Sequence, residues 1–280
     1  MNIRGKIYMP VINGVGQSNH TVTKQMILKD IINSVYRPIY GLSEKNSKKG
    51  LPAKVIFNWI DTNAGTGYNV EFGCDGSPVI FQNEMIQKNY PYRMYCIEKN
   101  RENINELQKT LIPSSNIVFV NGNHNSAIKN VLSDLKQKKY QQYGILYHDP
   151  NGYPSWDMLI ESSNRWETAK LDYLIHIAAT TIKRVVNGLG KDSSLLDMIS
   201  KIDKRYWHIR ECHYLGSDAT QWCFLLGTNY KDYSSLKSIG FKRVDTSSGE
   251  SIMNIFNHTK STSYSNMVLS QKPLSAFVKV

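Results

Sequence analysis

The sequence has few cysteines and none of the cysteine patterns that mark metal sites or disulfide frameworks. Its four cysteines, at positions 74, 96, 212 and 223, form neither a CxxC pair nor a zinc-ligand spacing. Two of them lie inside apolar runs, where a buried thiol serves as a small hydrophobic side chain. We therefore interpret the cysteines as reduced thiols of a cytoplasmic protein and expect no metal centre.

Long apolar stretches are also missing. Residues 1–16 carry basic side chains but no extended apolar stretch of the kind found in signal peptides, and no segment reaches the roughly 20 apolar residues of a membrane span. The sequence contains no internal repeat, coiled-coil pattern or low-complexity tract. With a hydrophobic content of 41%, the chain is expected to fold as an ordinary soluble, intracellular protein.

Two common phosphate-binding signatures are absent, and acidic residues are in deficit. Neither the GxGxxG fingerprint of dinucleotide-binding folds nor the GxxxxGK[ST] loop occurs. The 34 lysines and arginines outnumber the 23 acidic residues, giving a formal net charge of +11, and the surplus is densest over residues 181–280. Such a surplus favours a polyanionic partner, nucleic acid above all, although solubility alone is an alternative explanation.

One amphipathic helix is predicted near the start of the chain, over residues 21–37. Apolar residues recur there at helical spacing, starting with Val22 and Met26, and Pro38 is expected to end the helix. A polar, lysine-containing loop is expected at 44–50. The helix would pack its apolar side against a sheet.

Five short apolar segments predict the strands of that sheet. They span residues 55–60, 93–98, 116–120, 144–148 and 171–178, and segments with helical spacing separate them. Ser77 is expected to cap the helix after the first strand, with Pro78 at its first position. Two further runs, 206–213 and 221–227, flank the turn signal Gly216-Ser217-Asp218 and predict an antiparallel hairpin.

This order of elements predicts an α/β fold. We expect a doubly wound, mostly parallel, Rossmann-like sheet closed by a C-terminal antiparallel hairpin. Residues 1–230 are assigned to this domain and residues 231–280 to a basic C-terminal extension that contains one helix, at 249–257.

Ligands of doubly wound sheets bind outside the carboxyl ends of the strands, so we searched those positions. The first strand ends in Asp61-Thr62-Asn63-Ala64-Gly65-Thr66-Gly67, a glycine turn whose small residues allow a polar ligand to approach the backbone, while Asp61 can accept hydrogen bonds from an ammonium group. Glu98 ends the second strand, where it can hold both ribose hydroxyls of an adenosine cofactor. After the third strand, Asn123 offers an amide to an adenine edge, and His124 follows it. Glycine turns and solvated glutamates also occur in α/β proteins that bind nothing there.

The fourth strand ends in Asp149-Pro150-Asn151-Gly152-Tyr153, the most informative segment. The Asp149 carboxylate and the Pro150 carbonyl can accept hydrogen bonds from one planar amino group, which leaves the nitrogen lone pair aimed at an electrophilic methyl group. Tyr153 or Trp156 would stack on the base. This is the logic of the (D/N)PP(Y/F/W) motif of amino-methyltransferases, except that Asn151-Gly152 replaces the second proline. A plain Asp-Pro turn is the alternative.

Over residues 21–227 the chain resembles the three-Cys-motif partner proteins, which are similar to class I methyltransferases. The resemblance rests on four elements in the family's order: the preceding helix, residues 61–67 in the place of a D-x-F-A-G-x-G turn, a G-S-P segment at 76–78 and a D-P-x-G segment at 149–152. In addition, Glu98 matches the family's acid in an I-E pair. It implies S-adenosylmethionine as the cofactor. The residues expected to bind the cofactor are Asp61, Asn63, Ala64, Gly65, Gly67, Ser77, Glu98, Asn123, His124 and Asp149; the residues expected to act in catalysis are Asp149, Pro150, Asn151 and Tyr153. Asn63 replaces an aromatic residue of the family pattern, and Asn123 replaces an aspartate.

Three functions are compatible with these residues. The first is an S-adenosylmethionine-dependent methyltransferase that modifies an exocyclic amino group of DNA or RNA, adenine N6 before cytosine N4, with the basic last third on the phosphates. The second keeps the cofactor but transfers the methyl group to a protein or a small molecule. The third is a binding subunit of a defence or mobile-element system that does not catalyse, which the substitutions at Asn63 and Asn123 suggest.

Overall fold

The computed structural model describes residues 21–48, 55–136, 141–165, 168–179, 181–182, 194–213, 221–231 and 233–256. In chain order the elements are α1 (Thr21–Lys48), β1 (Val55–Asp61), β2 (Tyr68–Asn69), β3 (Cys74–Asp75), α2 (Ser77–Gln87), β4 (Tyr92–Glu98), α3 (Arg101–Thr110), β5 (Ile117–Asn121), α4 (His124–Lys136), β6 (Gln141–His148), α5 (Trp156–Ser163), β7 (Leu171–Ala178), α6 (Leu195–Ser200), β8 (Tyr206–Arg210), β9 (Trp222–Thr228), α7 (Ser234–Ser238), β10 (Phe241–Arg243) and α8 (Ser247–Met253).

Eight of these strands form one sheet in the order β5-β4-β1-β6-β7-β9-β8-β10. The five strands from β5 to β7 run parallel, whereas β9, β8 and β10 add antiparallel strands at the other edge. This topology confirms the predicted doubly wound α/β sheet and is that of the class I methyltransferase fold. The strand order reverses between β1 and β6, so the crevice where such sheets bind ligands lies at the carboxyl ends of these two strands.

Strand side chains alternate between two apolar layers. On β1, Phe57 and Trp59 face a layer that includes α1, α2 and α7, whereas Ile60 faces the layer formed with α4, α5, α6 and α8. All three side chains are fully buried. Helices therefore cover both faces of the sheet, which explains why its central strands read as nearly continuous apolar runs.

Helix α1 does not end before Pro38, as the sequence predicts, but continues to Lys48 with the proline inside it. Proline lacks the N–H that would bond the carbonyl of residue 34. The Ser235 hydroxyl from α7 donates to the Ser34 carbonyl instead, at 3.1 Å. The expected polar loop at 44–50 is accordingly helical up to residue 48. Val22 and Met26 are exposed, and the buried side of the helix begins at Ile27.

Other boundaries differ by a few residues, and the strands β2, β3 and β10 and the short helix α7 were not predicted. A two-stranded β2–β3 hairpin occupies the stretch after the glycine turn, and β10 joins residues 241–243 of the expected C-terminal extension to the main sheet. Helix α8 spans residues 247–253, so it begins two residues before the predicted helix at 249–257 and ends four residues earlier. The turn signal at 216–218 and residues 257–280 lie outside the described residues. Within the described helices, none is long and apolar enough to cross a membrane.

Candidate functional site

A cavity of about 290 Å³ opens at the carboxyl ends of the central strands. Its walls come from the first turn of α1, the glycine turn, the β2–β3 hairpin and the segments after β4, β5 and β6. The lining residues are Thr21, Lys24, Gln25, Thr62, Asn63, Ala64, Gly65, Thr66, Gly67, Tyr68, Asn69, Gly76, Ser77, Glu98, Lys99, Gly122, Asn123, His124, Asp149, Pro150 and Asn151. The cavity thus brings together four predicted sites that follow or end different strands: the glycine turn, Glu98, Asn123 and Asp149.

The glycine turn takes a conformation that requires its glycines. Gly65 and Gly67 have φ of 62° and 80°, in the left-handed region that side chains with a Cβ rarely adopt. Two backbone bonds fix the turn: Ala64 N–H donates to the Ile97 carbonyl at 3.0 Å, and Gly76 N–H donates to the Gly67 carbonyl at 2.7 Å. The backbone is thereby held open toward the cavity.

Asp61 supports this turn from behind and does not line the cavity. Its carboxylate is completely buried, and it accepts hydrogen bonds from the Ser77 hydroxyl at 2.6 Å and from Asn63 N–H at 3.1 Å. Burial raises the pKa of Asp61 to about 7. The Ser77 hydroxyl is therefore used to hold Asp61 and does not cap α2. Gly76 occupies the N-cap position that the sequence assigns to Ser77.

Glu98 lies on the opposite wall and contacts the turn directly. Its Oε2 accepts a hydrogen bond from Gly65 N–H at 3.1 Å, and its Oε1 accepts one from Asn100 N–H at 2.8 Å. A carboxylate has about four acceptor positions, so the side chain keeps capacity for ligand hydroxyls. Next to it, the exposed Asn123 lines the cavity while its Oδ1 accepts from Asn125 N–H at 2.9 Å.

Two histidines belong to a hydrogen-bonded network under the cavity. His148 Nε2 accepts from Ser155 N–H at 3.0 Å, which assigns its ring proton to Nδ1, 2.8 Å from the Thr62 hydroxyl. Burial lowers the pKa of His148 to about 3, so its ring is neutral. His124 lines the cavity with Nε2 2.7 Å from the Ser155 hydroxyl and Nδ1 3.5 Å from the Asn63 amide nitrogen. Burial lowers its pKa as well.

Both carboxylate oxygens of Asp149 accept hydrogen bonds from neighbouring side chains. Lys24 Nζ lies 2.6 Å from Oδ2 and His176 Nδ1 lies 2.9 Å from Oδ1, while the Tyr147 hydroxyl donates to Oδ2 at 3.0 Å. Burial alone would raise the pKa of Asp149, but Lys24 and His176 outweigh it and hold that pKa well below its usual range. The carboxylate therefore stays ionised and cannot act as a base near neutral pH.

The rest of the motif after β6 divides into two parts. Pro150 and Asn151 line the cavity beside Asp149. Tyr153 is outside the lining: its hydroxyl donates to Met198 Sδ at 3.0 Å, and its ring packs edge-on against Trp156, with centroids 6.4 Å apart. Trp156 is 6% exposed and belongs to the core, so the stacking role considered for it is not compatible with this arrangement.

Sequence reasoning missed the partners of Asp149 and the aromatic residue at the cavity mouth. Lys24 sits in the first turn of α1, where a lysine looks like ordinary helix surface, and His176 lies inside β7, two residues before the strand ends. Tyr68 lines the cavity and is 43% exposed. It follows Gly67 immediately, which is the one signal that could have drawn attention to it. Among the described residues, no group of three or more His, Cys, Asp or Glu side chains is arranged to hold a metal ion.

Comparisons with known proteins give limited matches. No family model matches the chain, and no curated protein matches it. Among solved structures, protein LPL1258 from Legionella pneumophila matches at 15% identity, covering 83% of this chain and 92% of the other, with a TM-score of 0.48. An rRNA methylase from Streptococcus thermophilus matches at 8% identity over 77% of this chain and 100% of the other, with a TM-score of 0.41.

A third match is to a fibrillarin/Nop5p complex, at 13% identity over 62% of this chain and 73% of the other, with a TM-score of 0.39. At these identities and TM-scores the likenesses carry no argument about activity.

Proposed function

We propose that this protein binds S-adenosylmethionine and transfers its methyl group to an exocyclic amino group of DNA or RNA, adenine N6 before cytosine N4. The observation that carries the proposal is the contact between Glu98 and Gly65, which joins the end of β4 to the turn after β1, beside the switch point of the sheet. It places a carboxylate that can accept from ribose hydroxyls next to a backbone that a ligand can approach closely. The proposal includes kinship with the three-Cys-motif partner proteins, through the four motifs between 61 and 152.

The residues around the cavity fit this cofactor. Glu98 would accept hydrogen bonds from the ribose hydroxyls, and Asn123 would pair with the adenine edge, with His124 beside it. Gly65 and Gly67 would present bare backbone to the sulfonium region, in a turn whose φ angles of 62° and 80° side chains with a Cβ rarely adopt. Asp61 and Ser77 act on the cofactor through the turn that they hold. The chemistry supplied by the bound cofactor is an electrophilic methyl group.

Asp149, Pro150 and Asn151 would position the acceptor. One planar amino group can donate to the Asp149 carboxylate and the Pro150 carbonyl, which aims its lone pair at the methyl group. Because the pKa of Asp149 is held low, the carboxylate would orient the amine, and the proton that the methyl group displaces from the nitrogen would leave to solvent. Tyr153 keeps its proposed role only if it leaves its contact with Met198. The net charge of +11 supports a nucleic-acid acceptor, with the basic last third on the phosphates.

We also propose a division of the chain into two parts. Residues 1–230 would form the catalytic domain and residues 231–280 an extension packed on it. The pairing of β10 with β8 supports this packing for residues 241–243.

One observation favours a second candidate, a cofactor-binding subunit that does not catalyse. Asp149 already accepts three hydrogen bonds, from Lys24, His176 and Tyr147, so an acceptor amine must share it or displace one of them. In that case cofactor binding would persist without transfer.

The test combines binding with product analysis. Isothermal titration with S-adenosylmethionine is followed by incubation with labelled cofactor and separate DNA, RNA and protein fractions, and by nucleoside mass spectrometry. We expect N6-methyladenine in a nucleic-acid fraction, lost in Asp149→Asn and retained in the exposed control Asp157→Asn. Binding without any product supports the second candidate. Label in the protein fraction alone transfers the proposal to a protein acceptor, and no binding at all refutes both.

A further inference from the structure

The first turn of α1 forms one end of the cavity and carries its own polar groups. Thr21, Lys24 and Gln25 all line the space, although α1 lies outside the sheet. Lys24 Nζ bonds Asp149 Oδ2 at 2.6 Å, and the side chain is only 14% exposed. An ammonium group has three donors. Within the described part of the chain, the contact with Asp149 is the only bond found for Lys24, so two donors remain for a ligand.

Gln25 supplies a complementary acceptor at the same end. Its Oε1 is buried and has no hydrogen-bond partner within the described ranges. A buried polar atom without a partner is unfavourable, so this atom is better explained by a ligand that donates a hydrogen bond to it. The first turn of α1 thus presents a cationic donor and an amide acceptor side by side.

The topology places these two groups opposite the ribose end. Glu98 is the last residue of β4 and Asp149 follows β6, and β1 lies between these strands in the sheet. Adjacent strands are about 4.8 Å apart, so the two ends of the cavity are separated by about 10 Å. A ribose held by Glu98 would direct the amino-acid portion of the cofactor across the glycine turn and toward α1.

Two lysines line the cavity, and their positions distinguish them. Lys99 directly follows Glu98 and therefore belongs to the ribose end. Lys24 lines the far end of the cavity, where its ammonium group pairs with Asp149.

We propose that Lys24 and Gln25 bind the amino-acid end of S-adenosylmethionine, Lys24 donating hydrogen bonds to its carboxylate and Gln25 Oε1 accepting from its ammonium group. This inference rests on the proposed function and adds a specificity determinant to it. Lys24 distinguishes the intact cofactor from adenosine derivatives that lack the carboxylate.

The test compares ligands that differ at this end alone. Isothermal titration measures the affinity of the full chain for S-adenosylmethionine, for decarboxylated S-adenosylmethionine and for 5′-methylthioadenosine. The wild type should prefer the intact cofactor over the decarboxylated one by about 10- to 100-fold, the value of a hydrogen bond to a charged group. Lys24→Met should bind both equally, whereas Lys24→Arg should keep a preference. Gln25→Leu should weaken both ligands alike, because both retain the ammonium group.

The controls separate this inference from the proposed function. Lys29→Met makes the same change on the same helix, at a lysine that pairs with Glu84 at 3.0 Å, and should behave like the wild type. Binding of 5′-methylthioadenosine reports that each variant retains a folded adenosyl site, and Lys24→Gln replaces Lys24→Met if that variant does not fold. A wild type without preference, a preference that survives in Lys24→Met, or one lost in Lys99→Met instead overturns the inference while cofactor binding stands. A wild type that binds none of the three ligands overturns the proposed function.

Discussion

The carboxylate of Glu98 accepts a hydrogen bond from the backbone N–H of Gly65, with Oε2 3.1 Å from the nitrogen. Its other oxygen accepts from Asn100 N–H at 2.8 Å, one residue before α3 begins. Glu98 therefore links the end of β4 to the glycine turn after β1 and to the start of a helix. A residue placed to hold ribose hydroxyls is at the same time the residue that fixes the wall on which the cofactor would lie.

Substitution of Glu98 should affect cofactor affinity more than stability. In Glu98→Gln the charge is lost and one oxygen becomes an NH₂ group, which cannot accept from Gly65 or from a hydroxyl. We expect the dissociation constant for S-adenosylmethionine to rise about tenfold or more, as for the loss of a charge-assisted hydrogen bond. Isothermal titration measures the change, with Glu102→Gln, at an exposed position of α3, as the control. Equal affinities of wild type and Glu98→Gln would contradict a ribose-binding role.

The glycine turn should not tolerate a side chain at Gly67. A Cβ there would lie 2.6 Å from Leu107 Cδ1, and φ of 80° is strained for any residue with a Cβ. Gly67→Ala should lower the free energy of unfolding by about 1–3 kcal/mol. Gly152→Ala is the matched control, because nothing lies within 4 Å of its Cβ, and it should change stability by less than about 0.5 kcal/mol. Urea denaturation of both variants measures the difference, and similar values for the two would show that the turn is more adaptable than its geometry indicates.

His148 should make the fold sensitive to acid. Burial, with a smaller contribution from His124, lowers its pKa from 6.5 to about 3 in the folded chain. Protonation at Nε2 would also break the hydrogen bond that this nitrogen accepts from Ser155 N–H. As pH falls through 6.5 the unfolded chain gains a proton that the folded chain refuses. The stability present above pH 6.5 is therefore lost toward pH 3, at up to about 1.4 kcal/mol per pH unit.

The variant His148→Asn isolates this effect, since an amide does not titrate. Urea unfolding of wild type and variant at several pH values gives two stability curves, and contributions of the other histidines cancel in their difference. We expect the stability advantage of the wild type to shrink by about 2 kcal/mol between pH 7 and pH 5. A difference that stays constant over this range would mean that His148 titrates normally.

Much of the fold and part of the site could be predicted from the sequence, for identifiable reasons. Strands such as β7, predicted at its observed bounds, are buried on both faces and therefore read as apolar runs. Residues directly after such strands are brought together by topology alone, which is how Gly65 and Glu98 could be paired in advance. The predicted end of α1 at Pro38 was wrong because Ser235, almost 200 residues later, replaces the hydrogen bond that the proline cannot make. Such a compensation leaves no local signal in the sequence. Lys24 was missed for the same reason, since only its contact with Asp149 distinguishes it from a surface lysine.

Tyr68, and not Tyr153, is the tyrosine that we expect to face the acceptor. The sequence favours Tyr153 by its position in the motif after β6, but its hydroxyl bonds Met198 Sδ, whereas Tyr68 is 43% exposed and lines the cavity. Stacking of a base on an aromatic ring is worth about 1–3 kcal/mol, so Tyr68→Ala should reduce transfer to a nucleic acid about 5- to 100-fold without changing stability. Tyr68→Phe, which keeps the ring, should retain activity.

Tyr153→Ala should show the opposite pattern. Loss of its packing against Trp156 should lower the free energy of unfolding by about 2 kcal/mol, while transfer per folded molecule stays close to the wild-type value. Initial rates with labelled cofactor, together with urea denaturation of the three variants, measure both quantities. If Tyr153→Ala abolishes transfer in a folded protein and Tyr68→Ala does not, then the segment after β6 must rearrange when the acceptor binds, and Tyr153 must exchange Met198 for the base.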